Sequence, residues 1–195
     1  EFNLSDYDKK DSELIYYSSV EEAILNSPLN TENEEFSVPE DFLNHVDEIL
    51  HIWNGKQYDT IFYRAGSDND PVQGFVMARC KKQVEEATVQ YAFMNATPVT
   101  TKADSILISD ITELIHSSLK LSDFQQDLNP NYPDTRFVFG YAHDKEIYSL
   151  EVEGQKPDGV IEINVYDRTM YLWYYDDLKS DKRGNNLSYS VDVPE

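Results

Sequence analysis

The chain has 195 residues, of which 37 are acidic and 16 are basic, so its formal net charge is −21. Such a surface repels phosphate backbones and anionic lipid headgroups, which argues against nucleic acids and membrane surfaces as partners. Fourteen tyrosines and nine phenylalanines indicate a packed, β-rich protein. A cation, a basic protein or a neutral ligand is compatible with this charge, and solubility alone also explains it.

The chain opens with a polar stretch and two short helical patterns. Residues 1–13 are aperiodic, which predicts a flexible tether. Ser18 or Ser19 can cap a helix that Pro28 ends. A capping-box pattern further on predicts a second short helix near 39–45.

Two hairpins follow in the N-terminal half. The pair Asn54-Gly55 favours a type I′ turn between strands at 47–53 and 57–64. The runs QGFVMARCKKQ and ATVQYAFMNA predict the next hairpin, joined around Glu85-Glu86. The four strands are expected to form an antiparallel meander.

The C-terminal half begins with a helix, because apolar residues recur at helical spacing from Ile111 to Leu119, after a cap at Ser109 or Asp110. The runs RFVFGYA, EIYSLEVE, GVIEINVY and TMYLWYY predict a second antiparallel meander, and LSYSVDV predicts a last edge strand. These elements indicate the α+β class. We expect one domain over residues 14–195, with halves at about 14–100 and 101–195.

The aromatic run YLWYY raises the question of a binding surface. A two-residue turn at Asp167-Arg168 would place Val165 opposite Met170, and side chains then alternate between two faces. One face is apolar and is expected to lie in the core: Ile161, Ile163, Val165, Met170, Leu172 and Tyr174. The other is amphipathic and gives the candidate ligand-binding residues: Tyr171, Trp173, Tyr175, Glu162 and Asn164. A covering element over this second face is the commoner outcome in monomers.

Motifs for nucleotide binding, nucleophilic catalysis or zinc binding are absent from the sequence, so no catalytic residue and no cofactor are assigned. Acidic loop residues could ligate calcium, either Asp176 and Asp177 with Asp181 or the segment Asp68-Asn69-Asp70. The single cysteine, Cys80, is expected to be a buried thiol.

Three phrases of the second half, FGYA, LEVEGQKPD and YLWYY, occur in this order between residues 139 and 175. Together with VDEILHIWNGKQYDTIFYRAG and VQYAFMNATPVTT of the first half, their pattern resembles uncharacterised secreted proteins and predicted lipoproteins of Gram-positive bacteria, a family without an assigned activity, over most of residues 45–178. The resemblance implies a position outside the cytoplasmic membrane, at the cell surface. It also implies an N-terminal lipidated cysteine, not present in this sequence, as the only link to the membrane.

The sequence therefore leads to three functional hypotheses. The first is a non-enzymatic extracytoplasmic domain that binds a protein or glycan ligand. The second is a hydrolase of envelope glycans that uses Glu162 with Asp176 or Asp177, since glycoside hydrolysis needs two carboxylates. The third is an acidic immunity-type or regulatory protein that binds a basic partner.

Overall fold

The computed structural model describes residues 11–27, 42–66, 73–98, 110–127, 136–165 and 168–193. The chain divides into two compact units, Glu1–Ile106 and Leu107–Glu195, close to the division expected between the two halves. Of the expected tether, residues 1–10 lie outside the described residues, and Asp11–Glu13 form a 3₁₀ helix.

In its described residues, the first unit contains one α-helix and a four-stranded sheet. Its elements are α1 (Val20–Asn26), a 3₁₀ helix (Phe42–Asn44), β1 (Val46–Trp53), β2 (Tyr58–Ala65), β3 (Gly74–Glu85) and β4 (Thr88–Pro98). The strands follow one another in the sheet as β1-β2-β3-β4, and every pair is antiparallel. The meander predicted from the sequence is confirmed.

Helix α1 forms where the capping signal predicts it. The Ser19 side chain accepts a hydrogen bond from the Glu22 N–H at 3.1 Å, which satisfies one of the open donors of the first turn. Three residues of the helix are buried: Val20, Ala23 and Ile24. They pack in one cluster with residues of the sheet, among them Ile61, Ala78 and Cys80.

The first hairpin turn differs from the prediction. A type I′ turn needs positive φ at both central residues, and neither Asn54 nor Gly55 has it. The Asp59 carboxylate instead accepts a hydrogen bond from the Gly55 N–H at 2.8 Å, which closes a four-residue connection. The turn between β3 and β4 lies at the expected place, where Glu86 has a φ of 56°.

The second unit, where the structure describes it, contains an α-helix, a three-stranded sheet and a two-stranded sheet. Its elements are α2 (Ile111–Asp127), β5 (Val138–Ala142), a 3₁₀ helix (Lys145–Ser149), β6 (Glu151–Val152), β7 (Gly159–Val165), β8 (Arg168–Tyr175), a 3₁₀ helix (Gly184–Asn186) and β9 (Tyr189–Ser190). The α+β class with antiparallel sheets is confirmed. The sheet order is β5-β8-β7, with β6 pairing β9, so the predicted second meander is wrong.

The run EIYSLEVE is not one strand. Its first part is helical because Ile147 and Leu150, three residues apart, both lie in the core, and a 3₁₀ helix repeats every three residues. Only Glu151–Val152 extend, and they pair with β9 in the predicted terminal strand.

Helix α2 packs on β5 and supplies one side of the core of the second unit. Asp110 caps it, since its carboxylate accepts from the Thr112 N–H at 2.7 Å. The buried Ser122 hydroxyl accepts a hydrogen bond from the Phe139 N–H and donates one to the Phe139 C=O, both at 3.0 Å. Neither described α-helix has the length and apolar character needed to cross a membrane.

Candidate functional site

The pairing of β7 with β8 decides which side chains share a face. Val165 lies opposite Arg168 and Ile163 opposite Met170, so the register differs by two residues from the one built on a turn at Asp167-Arg168. Because side chains alternate with a period of two, a shift of two residues leaves each of them on its predicted face. The apolar face is buried as expected at Ile163, Val165, Met170 and Leu172.

Trp173 and Tyr175 are buried, with relative exposures of 0% and 2%, so the exposed surface predicted from the sequence does not include them. Both belong to the core cluster that contains Ile115 and Leu119 of α2. The Tyr175 hydroxyl donates to the Gln155 carbonyl at 2.8 Å. These two side chains therefore pack in the core of the second unit. This part of the predicted face is covered by other residues and is not a binding surface.

Four of the remaining side chains on this face, with one residue from the 3₁₀ helix, form what we call the tyrosine patch: Tyr148, Glu162, Asn164, Thr169 and Tyr171. The Tyr148 hydroxyl donates to Glu162 Oε1 at 2.8 Å. The rings of Tyr148 and Tyr171 meet edge to face with centroids 5.7 Å apart. Three predicted residues thus share this face: Glu162 and Asn164 are exposed, and Tyr171 is half-buried against the core.

The residues next to Tyr148 fix the position of its backbone. Ile147 and Leu150 are fully buried, whereas Tyr148 between them is 52% exposed. The Ser149 hydroxyl donates to the Glu146 carbonyl at 2.7 Å and accepts from the Asp192 N–H at 2.8 Å. The backbone of Tyr148 is therefore fixed between a buried residue and a hydrogen-bonded turn.

The charge of the tyrosine patch is suited to a positively charged ligand. The hydrogen bond to Glu162 is the first cause of a raised pKa of Tyr148, followed by burial and the nearby Glu162 charge. No ion pair with Glu162 occurs among the described residues. A carboxylate next to two aromatic rings can attract a cation both by charge and through the ring faces.

The predicted calcium ligands are not assembled into a site. Asp177 binds the Lys179 ammonium and accepts from the Arg136 N–H at 3.0 Å, and these contacts, first that of Lys179, lower its pKa. Within the ranges that the structure describes, no group of three or more His, Cys, Asp or Glu side chains could hold a metal ion. Asp68-Asn69-Asp70 lies outside those ranges.

The carboxylates of the hydrolase hypothesis are far apart. Glu162 lies opposite Tyr171 in the sheet, and Asp176 follows Tyr171 by five positions along the chain. At about 3.3 Å per residue this amounts to roughly 16 Å along the strand. Glycosidases need their two carboxyl groups about 5–9.5 Å apart, so the geometry does not favour this pair.

Cys80 is a buried thiol, as predicted, with a relative exposure of 0%. Burial, and after it the charge of Asp59, raises the pKa of Cys80 to about 12. Such a thiol is not ionised near neutral pH and is a poor nucleophile.

Sequence reasoning missed two features. Tyr148 was assigned to a strand, although the three-residue spacing of Ile147 and Leu150 was a signal for the turn that presents it. The buried ion pair of Asp59 with Lys82, at 2.8 Å, had no local signal because the two residues meet only across the sheet.

Comparisons with models of known protein families, with curated proteins and with solved structures find no match.

Proposed function

We propose that this protein is a non-enzymatic binding domain that recognises a basic partner protein through the tyrosine patch. The observation that carries the proposal is the hydrogen bond of the exposed Glu162 with Tyr148, whose ring meets half-buried Tyr171, the cross-strand neighbour of Glu162. A lysine or arginine side chain fits this chemistry, since the carboxylate supplies a counter-charge and the rings supply a cation–π contact.

The rest of the molecule supports a cationic partner. The net charge of −21 gives an attractive potential for any basic protein and speeds its approach. A neutral glycan would gain nothing from this potential. The proposal thus joins the binding-domain hypothesis with that of an acidic protein complementary to a basic partner.

The binding test uses a fluorescein-labelled lysine octapeptide as the probe, with the dissociation constant measured by anisotropy. Removing the patch charge in Glu162→Gln is expected to weaken binding by up to about fivefold, because an exposed ion pair contributes up to about 1 kcal/mol. Tyr171→Leu is expected to give a loss of similar size.

The matched control is Asp181→Asn, which removes the same charge from an exposed loop residue of the same unit. It is expected to weaken binding less than about twofold, as overall charge alone would. Equal losses in Glu162→Gln and Asp181→Asn would show that the probe senses only net charge, and the patch would not be its site.

We also propose that the protein works at the cell surface. This location rests on the resemblance of most of residues 45–178 to secreted proteins and predicted lipoproteins. Protease treatment of intact cells that express the natural gene is expected to degrade the protein. Resistance in intact cells, with digestion only after lysis, would refute the location and leave the patch proposal standing.

A further inference from the structure

Among the described strands, the two larger sheets have four edges, and three of these edges are protected. Tyr17 hydrogen-bonds to the outer edge of β4 at Tyr91, with both distances 2.8 Å. Ser122 occupies the N–H and C=O of Phe139 on β5. Strand β1 carries two register irregularities and the charged residues Asp47 and Glu48. Irregularities and charges of this kind prevent pairing with other chains.

Strand β7 carries one charged residue, Glu162, but no register irregularity and, among the described residues, no bond to its outer edge. Only β8 pairs with it among the described residues, and no side chain from another described element bonds its backbone. Its sequence, GVIEINV, contains four β-branched residues, no proline and no lysine. A regular strand of this composition with an unpaired edge is a template for a further strand.

We infer that β7 is a docking edge, on which an extended segment of the basic partner adds as a fourth strand beyond β7. This inference rests on the proposed function and specifies how the partner binds. A second copy of this chain is the less suitable occupant, because each copy carries a net charge of −21 and self-pairing would bring two acidic surfaces together.

The side chains of β7 define the pattern that the incoming strand must have. Glu162 and Asn164 point to the face of the tyrosine patch, and Ile163 and Val165 point to the apolar face. Residues of an added strand alternate in the same way. A segment that alternates cationic and apolar residues would therefore place its cations beside Glu162 and its apolar side chains on the opposite face.

The probe is an octapeptide of alternating lysine and valine, and its control is a peptide of the same composition with four lysines followed by four valines. The alternating peptide is expected to bind roughly tenfold more tightly, because only it can present all its cations on the face of the patch. Amide hydrogen exchange, measured by NMR, is expected to slow at every second residue of β7, since edge amides become hydrogen-bonded.

The outcomes separate this inference from the proposed function. If Glu162→Gln weakens binding while exchange in β7 stays unchanged, the patch binds the peptide and strand addition is wrong. If neither changes, both proposals fail. If exchange in β7 slows with protein concentration and without peptide, the occupant is a second copy, and the inference of a basic partner strand is overturned.

Discussion

Gly140 determines where the largest side chain of the second unit can lie. It sits directly opposite Trp173 across the β5–β8 pair, and a methyl group there would overlap the Trp173 ring and the Ser118 side chain. We expect Gly140→Ala to lower the free energy of unfolding by about 2 kcal/mol, because overpacking a filled core costs about 1–3 kcal/mol. Urea unfolding followed by tryptophan fluorescence measures this change.

The control for this substitution is Gly154→Ala. No atom lies within 4 Å of a methyl group at Gly154, but its φ of 72° strains any other residue. That strain is expected to cost about 1 kcal/mol. A loss at Gly154 as large as the loss at Gly140 would contradict the packing explanation.

The buried Asp59–Lys82 pair joins three elements of the first unit. Asp59 lies on β2, its carboxylate binds Lys82 of β3 at 2.8 Å, and it closes the turn after β1 through Gly55. Lys82→Met leaves a carboxylate that is 2% exposed without its cation. We expect a loss of about 3 kcal/mol in the free energy of unfolding, since breaking a buried pair strands a charge.

The comparison for that pair is Lys179→Met. Lys179 binds Asp177 with its own side chain 72% exposed, so water replaces the contact easily. Its loss is expected to be below about 1 kcal/mol. Chemical denaturation of both variants gives the ratio, and similar values would mean that Asp59 is not effectively shielded from solvent.

Glu153 fastens the two-stranded sheet to the C-terminal loop. It accepts hydrogen bonds from the Ser188 N–H and hydroxyl and from the Lys182 ammonium. These contacts, first that of the Ser188 N–H, lower its pKa to about 2 from an ordinary value of 4.5. A carboxyl with a lowered folded-state pKa stabilises the fold above the unfolded pKa and loses this effect as the pH falls toward 2.

The substitution Glu153→Gln therefore has a pH-dependent effect. The variant is expected to be less stable than the original chain near pH 7, and the difference is expected to shrink between about pH 4.5 and 2. Urea midpoints of both chains across this range measure it. A difference that stays constant with pH would show that the charge of Glu153 contributes nothing to the stability of the fold.

Structural elements that depend on sequence signals close together in the chain were predictable. The Ser19 cap, the hairpin around Glu86 and the alternation in β8 each depend on residues close together in the chain. The central position of β8 was not predictable, because β5 reaches it across more than twenty intervening residues and no turn signal records that pairing. The 3₁₀ turn with Tyr148 was missed because Tyr148, Leu150 and Val152 also alternate as in a strand.

The candidate site was predictable only in part for the same reason. Face parity depends on alternation, so Glu162, Asn164 and Tyr171 were grouped correctly even with the register two residues out. Whether a face is covered depends on tertiary packing, and the sequence of β8 alone carries no sign that α2 buries Trp173. The exposed part of the face is therefore narrower than the sequence indicates, and Tyr148 completes it from another element.

At the scale of the whole molecule, the acidic excess is spread over both units. Residues 1–106 contain 20 acidic and 8 basic residues, and residues 107–195 contain 17 and 8. Folding therefore brings like charges close together within each unit, and their repulsion destabilises the compact state. Salt screens this repulsion, because the Debye length falls from about 10 Å at 0.1 M to about 3 Å at 1 M.

Raising sodium chloride from about 0.1 to 1 M is therefore expected to raise the melting temperature. Screening also weakens ion pairs, but two inner pairs of the described residues, Asp59–Lys82 and Arg136–Asp123, have side chains at most 15% exposed and are screened little. Repulsion between the many exposed carboxylates is then the larger salt-sensitive contribution. Calorimetry over this range measures the change, with sucrose of equal osmolality as the control for solvent exclusion. A melting temperature that falls with salt would show that attractive pairs outweigh the acidic surface.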